Sequence, residues 1–131
     1  MSRWGIPAAA ADLHADALVW DMTLPIITPG TPERKAGLFS RAAAAGVDFL
    51  SITLAIDGMD FRAAAQQVAI HRALVAEQSD ACALVDSTEG VLEARGADKL
   101  AVGFHFQGTA PFEDELAWVD LYYQLGIRHA L

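Results

Sequence analysis

Apolar runs of strand length alternate along this chain with stretches whose apolar residues recur at helical spacing. Pro7 to Asp16 predicts a short N-terminal helix with a proline in its first turn. Ala17-Leu18-Val19-Trp20-Asp21 predicts a first strand, stopped by Pro25. Thr28-Pro29-Gly30-Thr31-Pro32 is dense in turn residues and predicts a loop. Thr31 can cap a following helix that runs to about Ala45, where Gly46 suits the stop. Val47 to Ala55 predicts a second strand, rich in β-branched residues. Asp60 can cap a long helix from Phe61 to about Gln78, with Ala65, Val68, Ala69, Arg72 and Val75 at helical spacing. His71 then falls on its solvent face. Ala83-Leu84-Val85 predicts a short third strand, Ser87 to about Arg95 a short helix, and Leu100 to Gln107 a fourth strand. Pro111 opens a last helix containing Leu116, Val119 and Tyr123, stopped by Gly126 before a fifth strand from Ile127.

Repeated strand–helix–strand units with short loops predict an α/β fold with a parallel sheet. The chain ends inside the fifth strand, and a parallel sheet needs cover on both faces. The expectation is therefore that residues 1–131 are the first part of a larger barrel. An open strand edge of that kind invites association between copies.

Composition narrows the function classes. The 131 residues carry a net charge of −8, with a pI near 4.7, and show no basic face for nucleic acid or for an anionic membrane. The chain is 53% hydrophobic, with a mean hydropathy of +0.27, which excludes a disordered chain. Cys82 is the single cysteine, lies in an apolar run, and rules out an internal disulfide. With no convincing signal peptide and no bilayer-length apolar stretch, a cytoplasmic protein is expected.

Candidate chemistry gathers where strands end, the usual place for it in β/α folds. His105 and Gln107 lie two positions apart near the end of the fourth strand and therefore point to one side of the sheet. They can form a working site or a hydrogen-bonded core pair. Asp21 closes the first strand and can bind metal, act as a base or cap a turn. Asp57, in an Asp-Gly turn, is a weaker candidate for metal. His14, His71 and His129 show no metal-ligand spacing.

Three segments resemble the N-terminal part of the membrane dipeptidase family, the renal dipeptidase-type metallopeptidases. They are Leu18-Val19-Trp20-Asp21-Met22-Thr23-Leu24-Pro25, then Ala42 to Ser51, then Lys99 to Gly108 with the later Leu121-Tyr122-Tyr123-Gln124-Leu125-Gly126-Ile127-Arg128. The resemblance implies a TIM-type barrel of more than twice this length, of which residues 1–131 would be the N-terminal portion, a partial barrel of about five strands of eight. Two zinc ions and hydrolysis of dipeptides are implied with it. It also implies that the family's ligand positions are changed here. Aligned on Leu24-Pro25, Asp21 stands where histidine is expected and Thr23 where aspartate is expected, while Gln107 takes the place of the bridging glutamate. A neutral amide lacks the charge that holds two cations together, so zinc is expected to be absent or reduced to one ion at Asp21. Two readings follow. One is a hydrolase of dipeptidase ancestry acting on a small peptide or amide, with Asp21 as ligand or base and His105 and Gln107 orienting substrate; tailoring of a peptide natural product is one such role. The other is a non-catalytic pseudoenzyme or barrel fragment that serves as a binding or assembly module.

Overall fold

The computed structural model describes residues 5–25 and 32–131. The elements in order are α1 (Ala8–Asp16), β1 (Trp20–Pro25), α2 (Pro32–Ala44), β2 (Phe49–Ile56), α3 (Phe61–Ala76), β3 (Cys82–Leu84), α4 (Thr88–Gly96), β4 (Leu100–Gln107), a 3-10 turn (Ala110–Phe112), α5 (Leu116–Gln124) and β5 (Ile127–Ala130). The loop expected over 28–31 and the Thr31 cap lie outside the described residues.

All five strands join one parallel sheet, as the alternation predicts. Their order is β1-β2-β4, with β3 and β5 both paired to β4. β2 takes one edge of β4, so the other edge is shared. β3 pairs Leu100 to Val102, and β5 pairs Phe104 to Phe106 further along. The sheet has two unlike faces because side chains alternate. Leu50, Ile52, Leu54, Val102, Phe104 and Phe106 turn to the main core, against Ala64, Val68 and Val75 of α3 and Tyr122 of α5. Phe49 and Ala101 turn to the other face, where Val91 and Ala94 of α4 cover the N-terminal ends of the strands.

Local signals explain the element ends. The Asp60 carboxylate accepts from the Ala63 N–H at 2.8 Å, and the Ser87 hydroxyl accepts from the Gly90 N–H at 3.1 Å. α5 ends at Gly126, whose φ of +103° suits a glycine.

Four expectations are corrected. The first strand starts later and runs through to Pro25, so Asp21 is its second residue and not its close. The helix opened by Pro111 breaks in two because Glu113 and Asp114 take left-handed φ of 50° and 57°. Leu116, Val119 and Tyr123 face outward, and α5 instead buries Tyr122 with Trp118 beside it. His71 is fully buried, because the inward stripe of α3 is Ala64, Val68, His71, Leu74 and Val75, which keeps Val68 and Val75 of the expected set but not Ala65, Ala69 or Arg72. Its Nδ1 donates to the Gln67 carbonyl oxygen at 2.9 Å.

Among the described residues no helix is long and apolar enough to cross a membrane.

Candidate functional site

The inner face, opposite the main core, carries the polar residues of the sheet. The pairing of Thr53 with His105 and of Ser51 with Gly103 puts two hydroxyls beside one imidazole. Ser51 Oγ lies 2.9 Å from His105 Nδ1, and Thr53 Oγ1 lies 2.8 Å from His105 Nε2. One ring N–H donates to one hydroxyl, and the other hydroxyl donates to the ring's lone pair. His105 is fully buried, and burial pushes its pKa down to about 4, with repulsion from His129 adding to the shift and Asp21 opposing it. At neutral pH only about one molecule in a thousand would carry a proton there.

His129 from β5 stacks on this ring, with centroids 4.5 Å apart and planes 8° from parallel. Its Nε2 then reaches the Met22 carbonyl oxygen on β1 at 3.3 Å. On a flat sheet β5 and β1 would stand three strand spacings apart, about 14 Å. A histidine side chain cannot bridge that gap, so the sheet curls strongly inward, as a barrel wall does.

Close packing sets the depth of this face. A Cβ on Gly103 would meet ring carbons of Phe49 at 2.7 and 2.9 Å. The glycine thus lets the Phe49 ring lie against β4, where Trp20 packs on it with centroids 4.9 Å apart. Beside them opens a cavity of about 280 Å³ whose lining includes Trp20, Met22, Ser51, Gly103 and His129. Arg128 and Asp86 stand on its rim in a 2.8 Å ion pair. Arg128 also donates to the Tyr123 carbonyl oxygen at 2.7 Å and lies over the Tyr123 ring at 4.1 Å. The arginine that closes the Leu-Tyr-Tyr-Gln-Leu-Gly-Ile-Arg segment therefore clamps β5 to α5 and to the loop after β3.

The other expected residues separate from this cluster in kind. Gln107 lies on the same face as His105, one layer nearer the strand ends, and is exposed. Asp21 is exposed, and its Oδ1 accepts from the Thr23 N–H at 3.0 Å. Asp57 accepts from the Ala110 N–H at 3.3 Å and packs against Gly108, whose φ of +120° and lack of a Cβ make room for the carboxylate. It ties the exits of β2 and β4 together.

Three residues of the cluster escaped sequence reasoning. The alternation of Leu50, Ile52 and Leu54 with Ser51 and Thr53 was the signal for the two hydroxyls. For His129 the signal was weaker, a polar residue two positions after Ile127 on a short strand.

Zinc is bound by ionised carboxylates, thiolates and free imidazole lone pairs. The residues that this chain brings to the strand ends do not fit a zinc pair. Both nitrogens of His105 are engaged, Gln107 is neutral, Asp21 is turned to its own backbone, and His129 leaves a single ring nitrogen unused, too few ligands for two ions. Among the described residues no group of three or more His, Cys, Asp or Glu stands where it could hold a metal.

A curled parallel sheet with polar residues along its inner face defines the class, an α/β protein of barrel type. Solved structures carry the same fold. An amidohydrolase from Pseudomonas aeruginosa matches with a TM-score of 0.80 and 26% identity, over 92% of this chain and 35% of that one. The probable dipeptidase PvdM from Pseudomonas aeruginosa matches with a TM-score of 0.71 and 13% identity, over 93% of this chain and 36% of that one. This chain thus spans about a third of the length of either. No curated protein matches significantly. The family described as Membrane dipeptidase (Peptidase family M19) matches residues 26–130, and the chain belongs to that family.

Proposed function

We propose that residues 1–131 form the N-terminal portion of a dipeptidase-family barrel whose inner face takes a small peptide or amide, with the family's first metal ligands replaced. The observation that carries this reading is the placement of His105, His129 and Gln107 on one face of a family-type sheet, with the His105 ring locked between two hydroxyls. Such a face offers neutral hydrogen-bonding groups, suited to peptide units. Asp21, exposed on β1 near this face, is a candidate base.

Metal analysis of the purified chain, paired with a dipeptide hydrolysis assay in added zinc, tests the proposal. Zinc well below one equivalent and no turnover of simple dipeptides are expected. Two equivalents of zinc per chain would overturn the replaced-ligand reading. A second reading, a non-catalytic binding or assembly module, is favoured by the locked state of His105, a histidine with no nitrogen left for a reacting group. Turnover of any small amide by the chain would exclude it.

A further inference from the structure

His129 is the one imidazole at the strand ends whose hydrogen bonding is half used. Its Nε2 faces a carbonyl oxygen, that of Met22, at 3.3 Å. A carbonyl only accepts, so Nε2 carries the proton and Nδ1 keeps a lone pair. Among the described residues nothing donates to that Nδ1. The ring is also held in orientation. It lies parallel to His105, which Ser51 and Thr53 fix from both sides at 2.9 and 2.8 Å. The cavity of about 280 Å³ opens next to it, with Trp20 and Phe49 as its apolar wall. The charges on the cavity rim, Arg128 and Asp86, neutralise each other in their ion pair. Apart from that pair the lining holds no carboxylate, lysine or arginine. The cavity gives a neutral N–H donor the His129 lone pair, beside the hydroxyls of Ser51, Ser87 and Thr88, and gives an apolar side chain a wall.

We propose that His129 Nδ1 accepts a hydrogen bond from the amide N–H of a small neutral peptide or amide, whose apolar side chain lies against Trp20. His105, Ser51 and Thr53 act as positioning residues beneath it. The inference rests on the peptide-or-amide reading above and names the residue that recognises the ligand.

Nitrogen-15 spectra of the histidine rings in the 131-residue chain, titrated with N-acetyl-leucine methylamide, test it. The free chain should show His129 protonated on Nε2. The probe should move the His129 Nδ1 and Trp20 indole resonances saturably. His129→Phe keeps a ring on His105 and removes the lone pair, and it should weaken the probe about tenfold, the size of one net hydrogen bond. An unchanged thermal midpoint in that variant reports that the fold is intact. A second variant, Ser51→Ala with Thr53→Val, should alter the His129 tautomer signal. Protonation of His129 on Nδ1 in the free chain, or binding to His129→Phe within about twofold of the native chain, overturns the assignment and leaves the peptide-or-amide reading standing. No response of the native chain to the probe overturns both. A His129 signal unmoved by the double variant overturns the positioning role of His105.

Discussion

His105 combines full burial with two hydroxyl partners, and that combination sets an acid limit on stability. Its pKa falls from an ordinary 6.5 to about 4 in the folded chain, first because burial disfavours the cation. Between those values the unfolded chain binds a proton that the native ring refuses. Stability from this group is therefore complete above pH 6.5 and is lost as pH falls toward 4, by roughly 3 kcal/mol at the low end. Urea melts from pH 7.5 down to 4.5 should show that loss. Carboxylates titrate in the same range, so the diagnostic comparison is His105→Gln, whose slope between pH 6.5 and 4 should be shallower. Equal slopes in the two proteins would mean that native His105 takes up its proton normally. Cys82 is held in the other direction, since burial pushes its thiol pKa up and keeps it a neutral core group.

Helix α3 shows what an element owes to its first turn. Its 16 residues follow Asp60, whose carboxylate satisfies one of the orphan N–H groups. A second orphan, the Phe61 N–H, donates to Glu113 Oε1 at 2.8 Å. Asp60→Ala should lower stability by about 1 kcal/mol, read as a drop in thermal midpoint, while Glu113 keeps the neighbouring amide satisfied. An unchanged midpoint would mean that water replaces the cap without cost. The cap was legible in the sequence, and so were β4 in full and the bounds of the other strands to within a few residues. The inward stripe of α3 was legible only at Val68 and Val75. Alanines flank it on both sides, and with Ala63, Ala64 and Ala65 in succession the apolar pattern does not distinguish one register from the next. Tertiary packing chose Ala64, and His71 came inward with it. In α5 the reason differs. The stripe of Leu116, Val119 and Tyr123 is as good by spacing as the one buried, but Tyr122 wins through an edge-on contact with Phe106 at 4.7 Å and a hydrogen bond from its hydroxyl to the Phe61 carbonyl oxygen at 3.0 Å.

At the scale of the whole molecule, three strand edges and one helix face stand open among the described residues. β1 pairs only with β2, and β3 and β5 each pair only with β4. Leu116, on the outer face of α5, is 83% exposed. Unpaired parallel edges and an apolar helix stripe favour contact with another chain. The isolated 131-residue chain should therefore associate in light scattering, with an apparent mass that rises with concentration. A monomer over the full concentration range would show that the exposed edges are protected by their own twist and charge. The fold class was legible because strand and helix periods alternate so regularly. The inner-face site was legible only in part. Gln107 and His105 announce themselves near a strand end, but the stack of His105 on His129 depends on the curl of the sheet, which leaves no trace in the spacing of residues.

The double use of β4 also bears on how the chain is assembled in time. β2 finds its partner only across some fifty positions, as the Thr53–His105 contact with a separation of 52 residues illustrates. β3 and β5 depend on the same strand from its other edge. During synthesis, then, everything ahead of Leu100 can form helices and the β1–β2 pair and must wait for the rest. One eight-residue segment, arriving late, gives β2 its second neighbour and β3 its first, and sets the track that β5 joins last.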